Sequence, residues 1–181
     1  MRPFEALGKR TLHEWAAWRL VEQQFRDPDG NSFARTFVES PGVVAIAAVD
    51  DQRRLVMVRQ YRPALDMVLW EIPAGMRDVV GESPLVCAQR ELREETGFVA
   101  SDWMELGQVA QSPGTSNSIA EVFLARHLTP GDAAPQGPEE NSSSVHLIEL
   151  DEAVRMVERG EVINSLAIIG ILRAAAMMPR P

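Results

Sequence analysis

The sequence predicts a mixed α/β (α+β) domain built around one core sheet. Three observations carry this reading. Strand-like segments both precede and follow one strongly capped helix, two further helices close the chain, and no internal repeat or linker divides its 181 residues. With 45% of residues hydrophobic, a chain of this length suits one domain with a short extension and buries a real core. A disordered chain of similar charge would carry far fewer apolar residues.

The first forty residues read as strands. Leu20-Val21 and residues 33–38 flank Asp27-Pro28-Asp29-Gly30-Asn31, a turn-rich pentapeptide that predicts a hairpin. Trp15 and Trp18 lie just before it, either in a core or on a surface that needs a partner subunit. Val43–Val49 is almost continuously apolar, as a strand covered on both faces is. After the polar turn at residues 50–54, residues 55–61 alternate, and residues 68–72 form a further short strand closed by Pro73-Ala74-Gly75. Residues 83–96 carry the clearest helix signal: Ser83 at the N-cap, Pro84 at the first helical position and Gly97 just past the end. Strands are expected at residues 103–109 and 119–125, around Ser112-Pro113-Gly114. Residues 129–144, rich in Pro and Gly, predict an exposed loop. A strand at 145–150 and helices at 151–159 and 163–178 complete the order.

Charge and cysteine usage narrow the function. There are 18 basic residues, of which Lys9 is the sole lysine, against 26 acidic ones, a net charge of −8 with no Lys/Arg run. Neither nucleic acid nor a membrane surface is therefore an expected partner. The one cysteine, Cys87, makes no internal disulfide, and the N-terminal residues lack the apolar stretch of a signal peptide, so a cytoplasmic location is expected. The apolar run at 166–178 is broken by Arg173 and is shorter than the roughly 20 residues of a membrane span.

The chemistry is concentrated in Arg90-Glu91-Leu92-Arg93-Glu94-Glu95-Thr96-Gly97. On a helix, Glu91, Glu94 and Glu95 stand at i, i+3 and i+4 and share a face, where like charges repel. A hard divalent cation reverses that sign, because Mg²⁺ takes carboxylate oxygens and water. Leu85, Ala88 and Leu92 form the opposite, apolar stripe. Arg90 has Glu94 one turn on and Glu82 just before the helix as partners. For an isolated E-x-x-E-E, a solvated charged face is the plainer reading.

The wider context changes that weighting. Glu82, Arg90, Glu91, Leu92, Glu94, Glu95, Gly97 and Phe98 stand at the spacings of the Nudix signature G-x5-E-x7-R-E-U-x-E-E-x-G-U, which the chain resembles. Its glycine, Gly75, is one place early, so the loop before the helix carries one extra residue. Arg62-Pro63 before the box, Ser112-Pro113-Gly114 after it and residues 159–165 are similar to the branch of the family that splits ADP-ribose and nucleoside diphosphate sugars.

That resemblance implies a Nudix-type α/β/α sandwich with a mixed central sheet, residues 41–181, and an N-terminal β extension, residues 1–40, that serves dimerisation and the substrate pocket. It implies metal binding by Glu91, Glu94, Glu95 and the carbonyl of Ala74, with Mg²⁺ or Mn²⁺, two ions or more. Glu82 and Arg90 would orient the helix and loop. Arg62, Glu71, Gly114 and Ser118 would contact substrate. Clustered metal would neutralise the diphosphate and activate water for in-line attack on phosphorus. Glu139 or Glu140, on the loop before the last strand, would act as general base, Glu140 preferred. Cys87, one turn before Glu91, reads as a small thiol packed beneath the site and not as a nucleophile, and His13 and His146 have no metal-ligand companion and read as packing or surface residues.

ADP-ribose-specific relatives commonly carry an acid where this chain has Ser118, so the implied substrates are nucleoside diphosphate sugars more broadly, ADP-ribose, ADP-glucose and GDP-mannose among them. The implied assembly is a homodimer with exchanged N-terminal strands. Two alternatives stand beside this reading: a nucleoside triphosphate or dinucleoside polyphosphate pyrophosphohydrolase, and a non-catalytic module that senses nucleotide sugars.

Overall fold

A computed structural model describes residues 4–132 and 143–178. The chain divides into two compact units, one comprising the residues up to Gly42 with Ala110–Ile119, the other Val43–Val109 with the residues from Ala120 onward.

In the first unit, β1 (Glu5–Trp15), β2 (Trp18–Arg26) and β3 (Ser32–Glu39) form an antiparallel sheet in that order. The predicted hairpin is β2–β3, with Phe25 opposite Phe33 and Arg19 opposite Glu39. Its turn is closed by Asp27, whose carboxylate accepts hydrogen bonds from the backbone and side-chain amides of Asn31 at 2.8 and 3.0 Å. Those bonds hold the Asp27 carboxyl below its usual range. Trp15 and Trp18 end β1 and begin β2, pair in register and stack at 6.3 Å. The loop before residue 120 is tied to β3: Val38 N–H donates to Thr115 O at 2.8 Å and Asn117 N–H donates to Val38 O at 3.2 Å.

The second unit contains a seven-stranded mixed sheet. Its main path runs from β10 (Ser144–Glu149) through β5 (Arg54–Arg62), β4 (Val43–Val49) and β9 (Ile119–Pro130) to β8 (Phe98–Ala110). The β4–β9 pair is parallel. β5 meets β4 only at Leu55 opposite Val49, then diverges and pairs with β6 (Met67–Glu71). The vacated edge of β4 is taken by β7 (Ala74–Met76), a three-residue strand formed where the sequence predicts only a closing turn.

Helices cover both faces of this sheet, and β4 shows why its sequence is apolar throughout. Val44, Ile46 and Ala48 pack with Cys87, Ala88 and Leu92 of α1 (Pro84–Thr96). Ala45, Ala47 and Val49 pack with residues of α2 (Leu150–Glu158) and α3 (Ser165–Met177). Ser83 and Gly97 cap α1 as predicted: the Ser83 hydroxyl accepts from Val86 N–H, and Gly97, at φ 70°, donates to Arg93 O. Ala88 and Leu92 of the predicted apolar stripe are buried, but its first member is not: Leu85 is 38% exposed and Cys87, two positions on, takes the buried place. Leu150 opens a helix and does not close a strand, and α3 starts after the side-chain cap of Asn164. Among the described residues no helix is long and apolar enough to cross a membrane.

Candidate active site

The acidic face of α1 is organised by one cation. The Arg90 guanidinium donates through Nε and Nη2 to the two carboxylate oxygens of Glu82 at 3.0 and 3.1 Å, and through Nη1 to Glu91 at 2.7 Å and Glu94 at 3.1 Å. One positive charge thus faces three negative ones, all at positions largely withdrawn from solvent. The hydrogen bonds from Arg90 hold the Glu82 carboxyl below its usual range despite burial. The same contact with Glu82 raises the guanidinium above its ordinary value. A residual negative field of this kind attracts cations.

Beside it lies β7. Val44 pairs with Gly75 and Ala45 with Ala74, so β7 runs along the edge of β4 at the level of α1. A side chain at Gly75 would fall on the Glu91 carboxylate, which occupies the space over the glycine. Ala74 N–H donates to Glu95 Oε2 at 3.2 Å, tying the strand to the last turn of the helix. The extra residue in the following loop leaves this close approach of Gly75 and Glu91 intact.

Arg62 and Glu71 extend the arrangement along β5 and β6. Val56 belongs to the α1 side of the core, Arg62 has the same strand parity, and Glu71 pairs with Val58, so both side chains share that face. Arg62 grips Glu71 as a fork, Nε to Oε1 at 2.8 Å and Nη2 to Oε2 at 2.6 Å. Glu71 is 3% exposed and its charge is matched there by the guanidinium, as a buried carboxylate requires.

Cys87 is fully buried beneath the acidic face, and its Sγ lies 3.4 Å from Met76 O as a donor. Burial, then the nearby Glu82 and Glu91 charges, push the thiol up to about 12, which leaves no thiolate for nucleophilic chemistry near neutrality. His13 stacks on Trp15, and His146 contacts Ser144 and the Trp70 ring. In the first unit, Gly114 lies in a loop with open space over its Cα, and Ser118 Oγ donates to Gln111 Oε1 at 3.4 Å. Glu139 and Glu140 lie outside the described residues.

One pair escaped sequence reasoning. Arg77 Nη1 donates to Glu121 Oε1 at 2.9 Å, joining the residue after β7 to β9. The available signal was a lone charge inside the apolar segment at 119–125.

The donors around β7 and α1 are all oxygens: three carboxylates and the Ala74 carbonyl. Hard cations such as Mg²⁺ prefer that set. Among the described residues, no three acidic, His or Cys side chains by themselves gather into an ion site.

Residues 38–165 match the NUDIX domain. The chain belongs to the NUDIX domain family. This Nudix chain is 41% identical over 183 residues to the ADP-ribose pyrophosphatase of Mycobacterium tuberculosis, spanning 98% of the chain and 88% of that relative. It is 36% identical over 161 residues to the ADP-ribose pyrophosphatase of Bacillus subtilis, spanning 89% and 86%. The crystal structure of an ADP compounds hydrolase matches it with a TM-score of 0.83 at 19% identity, over 98% of this chain and 95% of that one; identity that low speaks to the fold alone. The enzyme class is that of a Nudix pyrophosphatase, a hydrolase, and Nudix hydrolases in general use divalent metal ions.

Proposed function

We propose that this Nudix chain hydrolyses the pyrophosphate bond of nucleoside diphosphate sugars, ADP-ribose among them, to a nucleoside monophosphate and a sugar phosphate. The observation that carries the proposal is the Glu82–Arg90–Glu91–Glu94 network set against Gly75, in a chain similar over nearly its whole length to ADP-ribose pyrophosphatases.

Glu91, Glu94, Glu95 and the Ala74 carbonyl are the groups that would hold Mg²⁺ or Mn²⁺, two ions or more, with water completing the shell. Bound there, the metal supplies charge neutralisation for the diphosphate and acidifies water. The residues of the chain do the rest. Arg90 keeps three mutually repelling carboxylates close together. Arg62 and Glu71 present a fixed guanidinium suited to a phosphate oxygen. Glu140, with Glu139 as the alternative, takes the proton of the attacking water as its oxygen bonds to phosphorus, and the bridging oxygen leaves with the second phosphate. Gly114 and Ser118 contribute an uncharged, hydroxyl-bearing loop for the sugar, which selects less sharply than an acid at that place. The N-terminal sheet, with its exposed β1 and stacked tryptophans, serves a homodimer with exchanged strands and the base pocket, in a cytoplasmic enzyme without nucleic-acid or membrane partners.

The test is turnover of ADP-ribose, ADP-glucose, GDP-mannose and UDP-glucose with Mg²⁺ and with Mn²⁺. Hydrolysis of at least one, lost in Glu95→Gln and in Glu140→Gln with ligand binding retained, is expected. No turnover on any of the four overturns the proposal. Sedimentation at micromolar concentration tests the dimer, which a monomer would exclude.

A further inference from the structure

The strand that brings the Ala74 carbonyl and Gly75 to the acidic helix is only three residues long and pairs with β4 at just three positions. Few ladder hydrogen bonds hold it, and the loop after it exposes Val79 and Val80 and turns through Gly81 at φ +82°. On the entering side, Ile46 N–H donates to Pro73 O at 2.8 Å. On the leaving side stands Arg77.

We infer that the Arg77–Glu121 ion pair is a positioning latch: it pins the end of β7 to β9 and thereby keeps Ala74 and Gly75 in place against Glu91. The inference rests on the proposal that Ala74, Glu91 and Glu95 hold the metal.

The register supports a bridge across a strand. Met76 and Ala120 both pair with Val43, and Gly75 and Glu121 both pair with Val44. β7 and β9 therefore flank β4, two strand spacings or about 10 Å apart, a gap that needs two long side chains. Glu121 alternates with Ala120 and has the parity of Phe123, which packs on the α1 side, so the bridge runs over the face that carries the acidic helix. The pair is partly withdrawn from water, at 31% and 20% side-chain exposure. Arg77 Nε is buried without a hydrogen-bond partner among the described residues, so the guanidinium is held through its Nη1 contact and not by a full fork. Removing either partner leaves the other charge unpaired in a place partly withdrawn from water and releases the loop end of β7.

The experiment is calorimetric titration of the full chain with Mn²⁺ alone, beside steady-state kinetics on ADP-ribose. Arg77→Met and Glu121→Gln are each expected to weaken Mn²⁺ binding about tenfold, the scale of residues that orient metal ligands. They should lower kcat more than they raise KM, and faster hydrogen exchange is expected at residues 75–82 in the metal-free protein. The double variant should be no worse than either single one, since both remove one interaction. The reversed pair, Arg77→Glu with Glu121→Arg, should recover most of the affinity. If Arg77→Met fails to fold, Arg77→Lys takes its place and should bind Mn²⁺ more weakly than the unsubstituted chain, by less than the roughly tenfold expected of a residue that orients a metal ligand. Unchanged or tighter Mn²⁺ binding in the single variants, or additive losses in the double, overturns the latch. Glu95→Gln separates the two claims: if it loses Mn²⁺ while Arg77→Met keeps it, only the latch fails; if Glu95→Gln keeps full affinity, the metal reading fails and the latch with it.

Discussion

β1 and β4 are both strands of this chain, and they are stabilised by different physics. Every residue of β1 is exposed, whereas six of the seven residues of β4 are buried. The sheet containing β1 is held by its backbone ladder, by ring contacts such as Phe25 on Phe33 at 5.4 Å, and by surface ion pairs such as Arg26 with Glu5 at 3.0 Å. Such pairs are screened and contribute little. β4 has apolar partners on both faces and carries the site on its edge. Rigid placement of acids is therefore available beside β4, while β1 keeps its surface for other contacts.

The largest break in this contrast should come from the core. Leu92→Ala is expected to cost about 2–5 kcal/mol, seen as a lower urea midpoint, whereas Leu12→Ala in the exposed strand should leave the midpoint unchanged. Next is Gly75→Ala, whose added methyl must displace the Glu91 carboxylate. A loss of about 1–3 kcal/mol is expected from overpacking, with turnover falling more than the stability loss explains at a temperature where the variant stays folded.

Acid and alkali sharpen the comparison further. Glu82 is held below its ordinary value of 4.5 by Arg90. Its contribution to stability is present above that value and is lost as pH falls through its folded value, so Glu82→Gln should flatten the acid limb of a stability–pH curve. Cys87 is shifted the other way, from 9.0 to about 12. Stability should fall as pH rises between those values, and the native thiol should resist alkylation at pH 8 until the protein unfolds. The smallest effect is expected in β1, where Arg10→Ala removes a surface pair whose arginine is 72% exposed and should not move the thermal midpoint.

Local signals were readable wherever one residue type answers one backbone need. Ser83, Pro84 and Gly97 bound α1, and the uninterrupted apolar run of residues 43–49 announces a two-sided strand. The E-x-x-E-E spacing was readable for the same reason, because helix geometry converts sequence distance into a shared face. β7 was not readable: three residues after a proline carry no periodicity, and only β5's divergence from β4 opens an edge for them. The buried stripe of α1 shifted from Leu85 to Cys87 because the sheet, and not the helix, decides which side of a helical turn is covered.

By itself the sequence determined the order of elements, the capped helix and the row of acids, all consequences of interactions within a few residues. Tertiary structure alone decided that Glu91 rests over Gly75 and that Arg77 meets Glu121 across β4. Those contacts join residues far apart in the chain, and their distances are set by strand register and sheet divergence, quantities that no local pattern encodes.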